Sequence, residues 1–575
     1  MNRNNYLWIA VLLALFAYLQ IYHKYHFFYV EQNQLFQNTW PEVKEILLQP
    51  AGLASLIAGF LMQFFIYPFA GAIITACILT LVGWFSCSLL RKISPDSYLD
   101  LLCLLPVCML LFMHFDYVYF VSGSIALIIA LGAANLTCRI NNFCFRFCVE
   151  LLTIILLFFL AGSVYVLYTM VIITIELLFG KSKSRFLTLS FGIIVAIIGW
   201  LSVKCSVIIN YKLTFLPDFY YHWLSKPGFV IYFSWISVVL LIILAKFIKT
   251  KHWLSFVIQS VTVILILWIG IPKYDFRNSY ETKKFDWYSR NDQWDKILDE
   301  SKGKITNFLK LNYINMALAN RGELANRLFS FDQRDSRGLM AEWNKTTGIS
   351  LIMSDISFVM NYVALSQEMA FEAYIGSIGN GNPRNLKRLI QTNLINGAYP
   401  VAEKYIKILE NTLAYRDWAT QQRRFLYNDA AIEADPQLGN KRKSLSSKNS
   451  LSMIDGIETE LEKIAESNPN AHSAIEYLGC SYLLAKDLKG FKSVLDKFYG
   501  TPVLSPLPVS FQEALFVLFE PEPEKIADYE ISNDIAIRYN NFRQTVLANK
   551  NNRNALSGIM LRQYGNTYWY FFMFK

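Results

Sequence analysis

Long apolar runs recur throughout the first 272 residues, and they constrain the fold more than any other feature of the chain. This half carries 25 charged residues in 272 positions, whereas residues 273–575 carry 73 in 303 positions. A helix that crosses the hydrocarbon core of a bilayer needs roughly 20 residues. The contrast predicts a transmembrane helical domain over 1–272 and a water-exposed domain over 273–575. It excludes a single soluble globule and a disordered chain.

The apolar runs predict about ten spans in a polytopic, all-α bundle. Two apolar segments are too long for one straight crossing, and each contains a natural break, at Tyr67-Pro68 and at Ala161-Gly162. The predicted spans are residues 7–22, 51–67, 69–90, 101–115, 118–136, 148–162, 164–180, 186–208, 228–247 and 253–271.

The loops between these spans differ in charge, and basic loops stay in the cytoplasm. One set of alternate loops holds ten Lys and Arg residues, and the other set holds three. We therefore expect residues 273–575 on the far side, which is the periplasm of a Gram-negative cell. Ten spans would place the amino terminus outside as well, and an inside amino terminus would need one crossing, or three, within 51–90 instead of two. The ten are Arg91, Lys92, Arg139, Arg146, Lys181, Lys183, Arg185, Lys246, Lys249 and Lys251, and the three are Lys204, Lys212 and Lys226.

Helical spacing of apolar residues dominates the second half, and two stretches resemble tetratricopeptide repeats. In "NPNAHSAIEYLGCSYLLAKDLKGFKSVL", Gly479 and Tyr482 match the first-helix pattern, although Phe491 stands where the second helix normally has Ala. In "NGAYPVAEKYIKILENT", Ala402 is the small second-helix residue. These stretches predict an α-helical, repeat-like domain that presents a surface to a protein or peptide partner.

Two further segments of the second half carry specific expectations. Residues 435–450 are polar and rich in Ser and Lys, which predicts a mobile loop. The chain ends in "NTYWYFFMFK", an aromatic tail that we expect to be buried against the helical domain, as a strand, rather than on a membrane surface.

Few residues offer chemistry. No phosphate loop, nucleophile elbow, HExxH sequence or dinucleotide fingerprint occurs, and no basic stripe suits a nucleic acid. His23 and His26 lie three residues apart near the first span, where such side chains usually anchor a helix at the membrane interface. We therefore predict no metal, no cofactor and no nucleic-acid partner.

Glu31 is the first acidic residue of the chain, in "YVEQNQLF" shortly after the first span. This arrangement resembles the multi-spanning, polyprenyl-linked sugar transferases. The resemblance implies that Glu31 is an extracytoplasmic catalytic base or metal ligand. Those enzymes have two adjacent acids, whereas Gln32 follows Glu31 here, and Glu31 could equally be a solvated loop carboxylate. Sugar-binding residues would lie in "LPDFYYHW", namely Asp218, Tyr220, Tyr221 and Trp223.

The overall layout and the aromatic end also resemble an uncharacterised family of bacterial inner-membrane proteins, known in Bacteroides-like bacteria. That resemblance implies many spans followed by a helical carboxyl-terminal domain, and it implies no activity. The sequence therefore favours an interaction or envelope-assembly component of the inner membrane, whose partners are the lipid bilayer and a protein or peptide. The alternative is a glycosyltransferase that uses a polyprenyl-linked sugar.

Overall fold

The fold was determined from a computed structural model, which describes residues 3–95, 98–180, 183–222, 225–248, 253–275, 277–379, 381–445, 452–549 and 553–575. The described residues form helices and turns, with no extended strand and with an isolated bridge between Tyr119 and Tyr221. The predicted all-α class is confirmed. The chain divides into a first unit, Met1–Glu281 with Asn411–Ala414, and a second unit, Thr282–Glu410 with Tyr415–Lys575.

The helices of the first unit are built from the apolar runs. Both predicted breaks occur: a short 3-10 turn ends at Ile66 before Pro68, and Gly162 takes a positive φ of 76° directly after a helix. The helices are α1 Arg3–Tyr22, α2 Lys24–Val30, α3 Trp40–Leu48, α4 Gly52–Met62, α5 Ala70–Ile93, α6 Leu105–Met113, α7 Val121–Thr137, α8 Phe143–Ala161, α9 Val164–Phe179, α10 Phe191–Lys204, α11 Tyr211–Phe215, α12 Val230–Phe247 and α13 Trp253–Tyr274.

The prediction of about ten long spans is wrong. Within the described residues, five helices are long and apolar enough to cross a membrane, or six if α1 and the bent segment after it count as one span. Four further helices match their predicted ranges to within three residues, but each is shorter than the roughly 20 residues that a straight crossing needs. The five are Ala70–Ile93, Phe143–Ala161, Arg185–Lys204, Val230–Phe247 and Trp253–Tyr274, and the four are Gly52–Ile66, Leu102–Met113, Val121–Thr137 and Val164–Phe179.

Helix α1 runs antiparallel to α5, and two glycines of α5 allow close packing. The Trp8 ring of α1 lies against Gly83, and Phe27, just after α1, lies against Gly71. A β-carbon at either glycine would collide with the facing aromatic side chain. The start of α1 therefore lies towards the end of α5, where Arg91 and Lys92 close that helix.

Polar contacts join the helix termini in one layer at that side of the first unit, which we call the basic end. Glu150 and Glu176 are buried there, and both approach the guanidinium of Arg146, at 3.7 and 2.6 Å. The Gln259 amide of α13 donates to the Tyr98 carbonyl at 2.6 Å. Further contacts of the basic end are Arg91 with Asp100, Lys92 with Asn135 and Ser94 with the Ala245 carbonyl.

Both ends of helix α4 lie on the side of the first unit that is opposite to the basic end. Its first flanking residue, Ala51, donates its N–H to the Phe158 carbonyl near the end of α8, at 3.4 Å. Its last residue, Met62, accepts from the Gln34 amide at 2.9 Å. Because Gln34 follows the bend after α1, both termini of α4 lie on the side where α1 ends. The predicted span 51–67 therefore does not connect the two sides.

The second unit is a succession of short helices, of which α14 begins before the division between the units. Neighbouring helices pack as antiparallel hairpins, most extensively from α18 to α21. The helices are α14 Arg277–Arg290, α15 Trp294–Asp299, α16 Phe308–Asn320, α17 Leu324–Arg327, α18 Thr347–Val359, α19 Val363–Ile375, α20 Pro383–Ile395, α21 Tyr399–Glu410, α22 Arg416–Gln422, α23 Asp429–Ala434, α24 Pro436–Lys443, α25 Ser452–Ser467, α26 His472–Ala485, α27 Leu488–Phe498, α28 Val509–Leu518, α29 Asn533–Ala548, α30 Arg553–Tyr564 and α31 Tyr568–Phe574.

The predicted mobile loop at 435–450 is partly wrong, because α24 occupies its first half. The Asp435 carboxylate caps this helix by accepting from the N–H groups of Gln437 and Leu438, at 3.0 and 2.9 Å. Pro436 stands at the first helical position, which favours a helix start. Residues 446–450 lie outside the described part of the chain.

The aromatic tail is buried, as predicted, but as the helix α31 rather than a strand. Tyr568 and Trp569 are 0% and 1% exposed. The Phe329 ring packs against Tyr568 at 5.4 Å and against Phe571 at 5.1 Å between centroids. The Lys575 ammonium pairs with Asp332. A run of seven apolar and aromatic residues has the length of either element, and the cap that Thr567 provides to Tyr570 N–H favours the helix.

Candidate functional site

Glu31 lies in the short 3-10 turn Glu31–Asn33, which follows an 80° bend between Tyr22 and Lys24. Its side chain is buried at 5% exposure, and the Gln32 amide donates to the carboxylate. Glu31 is therefore an enclosed carboxylate rather than a solvated one.

Tyr220 and Tyr221, two of the predicted sugar-binding residues, hold distant turns together. The Tyr220 O–H donates to the Ala161 carbonyl and accepts from the Val164 N–H at 3.1 Å, so it closes the turn between α8 and α9. The Tyr221 O–H donates to the carboxylate of Asp116. Both side chains are buried, so a ligand would have to compete with these internal partners.

Asp218 lies in the same turn and is also buried. Its carboxylate accepts from the Tyr232 O–H at 2.6 Å and forms an ion pair with the Lys212 ammonium at 2.5 Å. The carboxylate thus joins the starts of α11 and α12. Trp223, the fourth predicted sugar-binding residue, lies outside the described residues.

The loop between α6 and α7 brings the predicted acid and the predicted binding residues together. The Asn33 amide donates to the Tyr117 carbonyl at 2.9 Å, and the rings of Tyr29 and Tyr117 meet edge-on at 5.3 Å. Asp116 of the same loop binds Tyr221. We call this layer, formed by residues 29–33, 116–119 and 218–222, the acidic end.

Asp116 was not among the residues singled out from the sequence. The available signal was its position, as the only acidic residue between two apolar runs in "HFDYVY". Burial and the hydrogen bond to Asp116 raise the pKa of Tyr221, so the phenol stays protonated and keeps donating. The Asp116 carboxylate also accepts from the Val118 N–H at 3.2 Å. The acidic end therefore holds carboxylates and phenols in fixed positions, hydrogen-bonded to one another or to backbone groups. A ligand rich in hydroxyl groups would bind there only by replacing these internal hydrogen bonds.

His23 and His26 are buried beside this layer, at 3% exposure each. The His23 ring stacks on Phe115 at 4.4 Å between centroids, and its Nε2 lies 3.5 Å from the Asp275 carboxylate. No group of three His, Cys, Asp or Glu side chains in the described part of the chain could hold a metal ion. The two histidines anchor the end of α1 within the bundle.

A second polar cluster, which sequence reasoning missed, lies inside the second unit. Arg384 of α20 binds two carboxylates, the buried Asp286 of α14 and the partly buried Asp355 of α18. Arg290 donates to Asp286 at 2.9 Å, and Arg388 donates to Asp355 at 2.8 Å. Burial raises the pKa of both aspartates, but the nearby guanidinium charges outweigh it and hold each pKa below its ordinary value. The two arginines four residues apart on α20 were the available signal.

Two adjacent cations of α24 extend this cluster to helix carboxyl termini. The Lys441 ammonium donates to the Phe358 carbonyl at the end of α18 and lies 4.2 Å from the Phe358 ring centroid. Arg442 donates to the Ile395 carbonyl at the end of α20, at 3.1 Å. Burial, together with the charge of Arg388, lowers the pKa of Lys441 to about 7. Cations at these positions complement the negative ends of the helix dipoles.

One family model matches the chain over residues 2–575. The chain belongs to this family, a family of unknown function, DUF6057. No curated protein matches the chain, and no solved structure matches it. Membership in an uncharacterised family that covers almost the whole chain is confirmed, and it brings no activity with it.

Proposed function

We propose that this member of DUF6057 is an integral protein of the bacterial inner membrane. In this proposal the first unit spans the bilayer, the second unit lies in the periplasm, and the protein serves an interaction or assembly role in the cell envelope. The bacterial location rests on the resemblance described in the sequence analysis.

The amount of exposed apolar surface carries the membrane location. In the span windows of Phe143–Ala161, Arg185–Lys204 and Trp253–Tyr274, only 22%, 22% and 17% of residues are buried. Trp268 and Ile264 of α13, for example, are 78% and 60% exposed. Surface of this size would be costly in water, and a lipid environment removes that cost.

The helix termini support a particular orientation. The start of α1 lies at the basic end, near Arg91 and Lys92. The end of α13 lies on the opposite side, where Asp275 approaches His23 at the end of α1. With the basic end in the cytoplasm, the amino terminus is cytoplasmic as well. Glu31 and residues 273–575 then lie on the periplasmic side.

Membrane insertion is tested by extraction of membranes at alkaline pH. The full chain should stay in the pellet and enter solution only with detergent. A chain released by alkali alone would contradict the membrane location, whatever the role of the second unit.

A row of aromatic side chains supports the interaction role. Phe371 stacks on Tyr374 of the same helix at 6.1 Å, and Tyr374 meets Tyr405 of α21 edge-on at 5.9 Å between centroids. Phe371 and Ile375 are 47% and 63% exposed. We propose that the hairpins from α18 to α21 are tetratricopeptide-like and that this row contacts a peptide or protein.

A photoreactive amino acid at Ile375 tests this surface in intact cells. We expect a discrete adduct from Ile375, none from the exposed control position Glu433, and loss of the adduct in Phe371→Ser. Equal labelling from both positions, or an adduct unaffected by Phe371→Ser, would contradict the proposed binding row.

A second candidate function, sugar transfer from a polyprenyl-linked donor, is favoured by one observation. The Asn33–Tyr117 and Tyr221–Asp116 hydrogen bonds gather the Glu31 turn and the 218–221 turn at the acidic end. Glu31 would act as the catalytic base, and Asp218, Tyr220, Tyr221 and Trp223 would bind the sugar. Asp116 adds a carboxylate that the adjacent-acid pattern of such enzymes would otherwise lack.

The variant Glu31→Gln separates the two functions. If the chain transfers a labelled sugar from a polyprenyl phosphate in membranes, this isosteric change should reduce the rate by about 100-fold or more, as expected on loss of a catalytic base. The chain should remain inserted and retain the Ile375 adduct. Transfer at an unchanged rate in Glu31→Gln would exclude Glu31 as the base.

A further inference from the structure

The last two long helices of the second unit, α29 and α30, differ in charge from the rest of that half. Residues 533–564 carry five basic residues and one acidic residue, Asp534. The other residues of 273–575 carry one more acidic than basic residue. The net positive charge of the second half therefore resides in this hairpin. Its basic residues are Arg538, Arg543, Lys550, Arg553 and Arg562.

One face of the hairpin packs inward and leaves the opposite face free. Phe542 of α29 and Met560 of α30 are buried in an aromatic cluster with Trp569 of α31. Three aliphatic side chains point away from that cluster and are exposed: Ile537 at 60%, Leu547 at 64% and Leu561 at 55%. Each helix therefore carries apolar residues on its outer face as well as on its buried face.

Two arginines of the hairpin have neutral hydrogen-bond partners: Arg538 donates to the Asn566 side chain at 2.5 Å, and Arg562 donates to the Gly558 carbonyl at 3.3 Å. No carboxylate of the described residues lies within ion-pair distance of Arg538, Arg543 or Arg562. Burial raises the pKa of the Glu513 carboxyl, and the charge of Arg538 opposes this rise without forming an ion pair with Glu513. The arginines of the hairpin are therefore available for an anionic partner.

We infer that the α29–α30 hairpin docks on an anionic phospholipid surface. Cations beside exposed aliphatic side chains are the combination that interfacial helices use, because the cations attract the head groups and the aliphatic side chains enter the acyl boundary. The inference rests on the membrane location proposed above, since a chain anchored in a bilayer holds the hairpin near lipid at high effective concentration.

A fluorophore at Leu547 tests the inference in the full chain. Leu547→Cys, in a chain whose native cysteines are replaced, is labelled with a polarity-sensitive dye and reconstituted in vesicles of phosphatidylcholine, with or without phosphatidylglycerol. We expect blue-shifted, stronger emission only in the vesicles with phosphatidylglycerol, reversed by high salt. The same dye at exposed Tyr427 should report no difference between the two vesicles.

Charge variants test whether the hairpin causes the change in dye emission. The triple change Arg538→Gln, Arg543→Gln and Arg562→Gln should weaken docking by about 100-fold, at about fivefold for each cation near an anionic leaflet. The matched triple change to Lys keeps the charge and should retain the shift, which excludes loss of folding as the explanation.

Two results would overturn the inference. One is identical emission in both vesicles from a chain that resists alkaline extraction. The other is a shift that persists in the Gln triple variant. A chain that alkali extracts from the vesicles would instead contradict the membrane location itself.

Discussion

Glu513 of α28 is a buried residue whose side chain contacts the start of the last helix, α31. Its carboxylate accepts from the Tyr568 N–H at 2.7 Å, and its own carbonyl accepts from the Trp569 indole N–H at 2.7 Å. Burial raises the pKa of Glu513 to about 7, although the Tyr568 hydrogen bond opposes the change. Docking of the aromatic tail is therefore coupled to one proton near neutral pH.

The sign of this coupling predicts a pH dependence of stability. Because the pKa is raised in the folded chain, the contribution of Glu513 to the stability of the folded chain is complete below about pH 4. This contribution is lost as the pH rises through 7. The difference corresponds to about 3 kcal/mol in the free energy of unfolding. Glu513→Gln keeps an acceptor for Tyr568 but binds no proton. We expect its thermal midpoint to exceed that of the parent chain at pH 8 and to match it at pH 4.

Glu520→Gln, a change at an exposed position of the same region, is the matched control and should leave the midpoint unchanged at both pH values. A Glu513→Gln midpoint that differs from the parent by the same amount at pH 4 and pH 8 would show that no proton is involved.

At the scale of elements, Gly479 of the predicted repeat leaves room for a ring of a neighbouring helix. A β-carbon at this position of α26 would collide with the Phe511 ring of α28. Phe491 of α27 meets the same ring edge-on at 5.1 Å between centroids. The large residue at 491 is thus accommodated by a third helix, which a two-helix repeat pattern does not anticipate.

Gly479→Leu should overpack this contact and lower the free energy of unfolding by about 1–3 kcal/mol. The midpoint of the purified chain should fall accordingly. Gly558→Leu is the control, because nothing lies within 4 Å of the corresponding position in α30. If both leucine variants melt alike, the close approach at Gly479 does not exist.

The sequence was informative about elements wherever local rules decide the outcome. The apolar periodicity predicted the helical class, and Tyr67-Pro68 and Gly162 end helices as expected. The helix α24 was missed although "ADPQL" holds a cap and a first-turn proline. Its sequence is mostly polar, and Leu438 is the only large apolar side chain that it buries, so no apolar periodicity was visible. The ranges of the helical segments Leu102–Met113, Val121–Thr137 and Val164–Phe179 were predicted to within three residues. The number of spans was overestimated because apolar runs of 15 to 19 residues were counted as full crossings.

The candidate site was predictable only in part, for a different reason. Glu31 and Asp218 were singled out by residue type near predicted span ends. Their meeting place depends on hydrogen bonds between residues far apart in sequence, such as Tyr221 with Asp116, 105 positions away. Such contacts follow from how α6, α7 and α12 pack together, which no single-sequence pattern encodes.

At the scale of the whole molecule, the proposed function depends on one assignment, that the basic end and the acidic end face opposite compartments. The ten basic loop residues favour a cytoplasmic basic end. The first unit begins at the basic end with α1 and ends on the other side with α13. An enzymatic role for Glu31 requires this topology.

Thiol accessibility measures the assignment most directly. Single cysteines at Glu45 of α3 and at Asn141 beside the basic end, both exposed positions, are placed in a chain whose native cysteines are replaced. Intact spheroplasts are then treated with a membrane-impermeant thiol reagent. We expect Glu45→Cys to be labelled at once and Asn141→Cys to be labelled only after the membrane is opened. Labelling of Asn141→Cys from outside, with Glu45→Cys protected, would contradict the proposed topology.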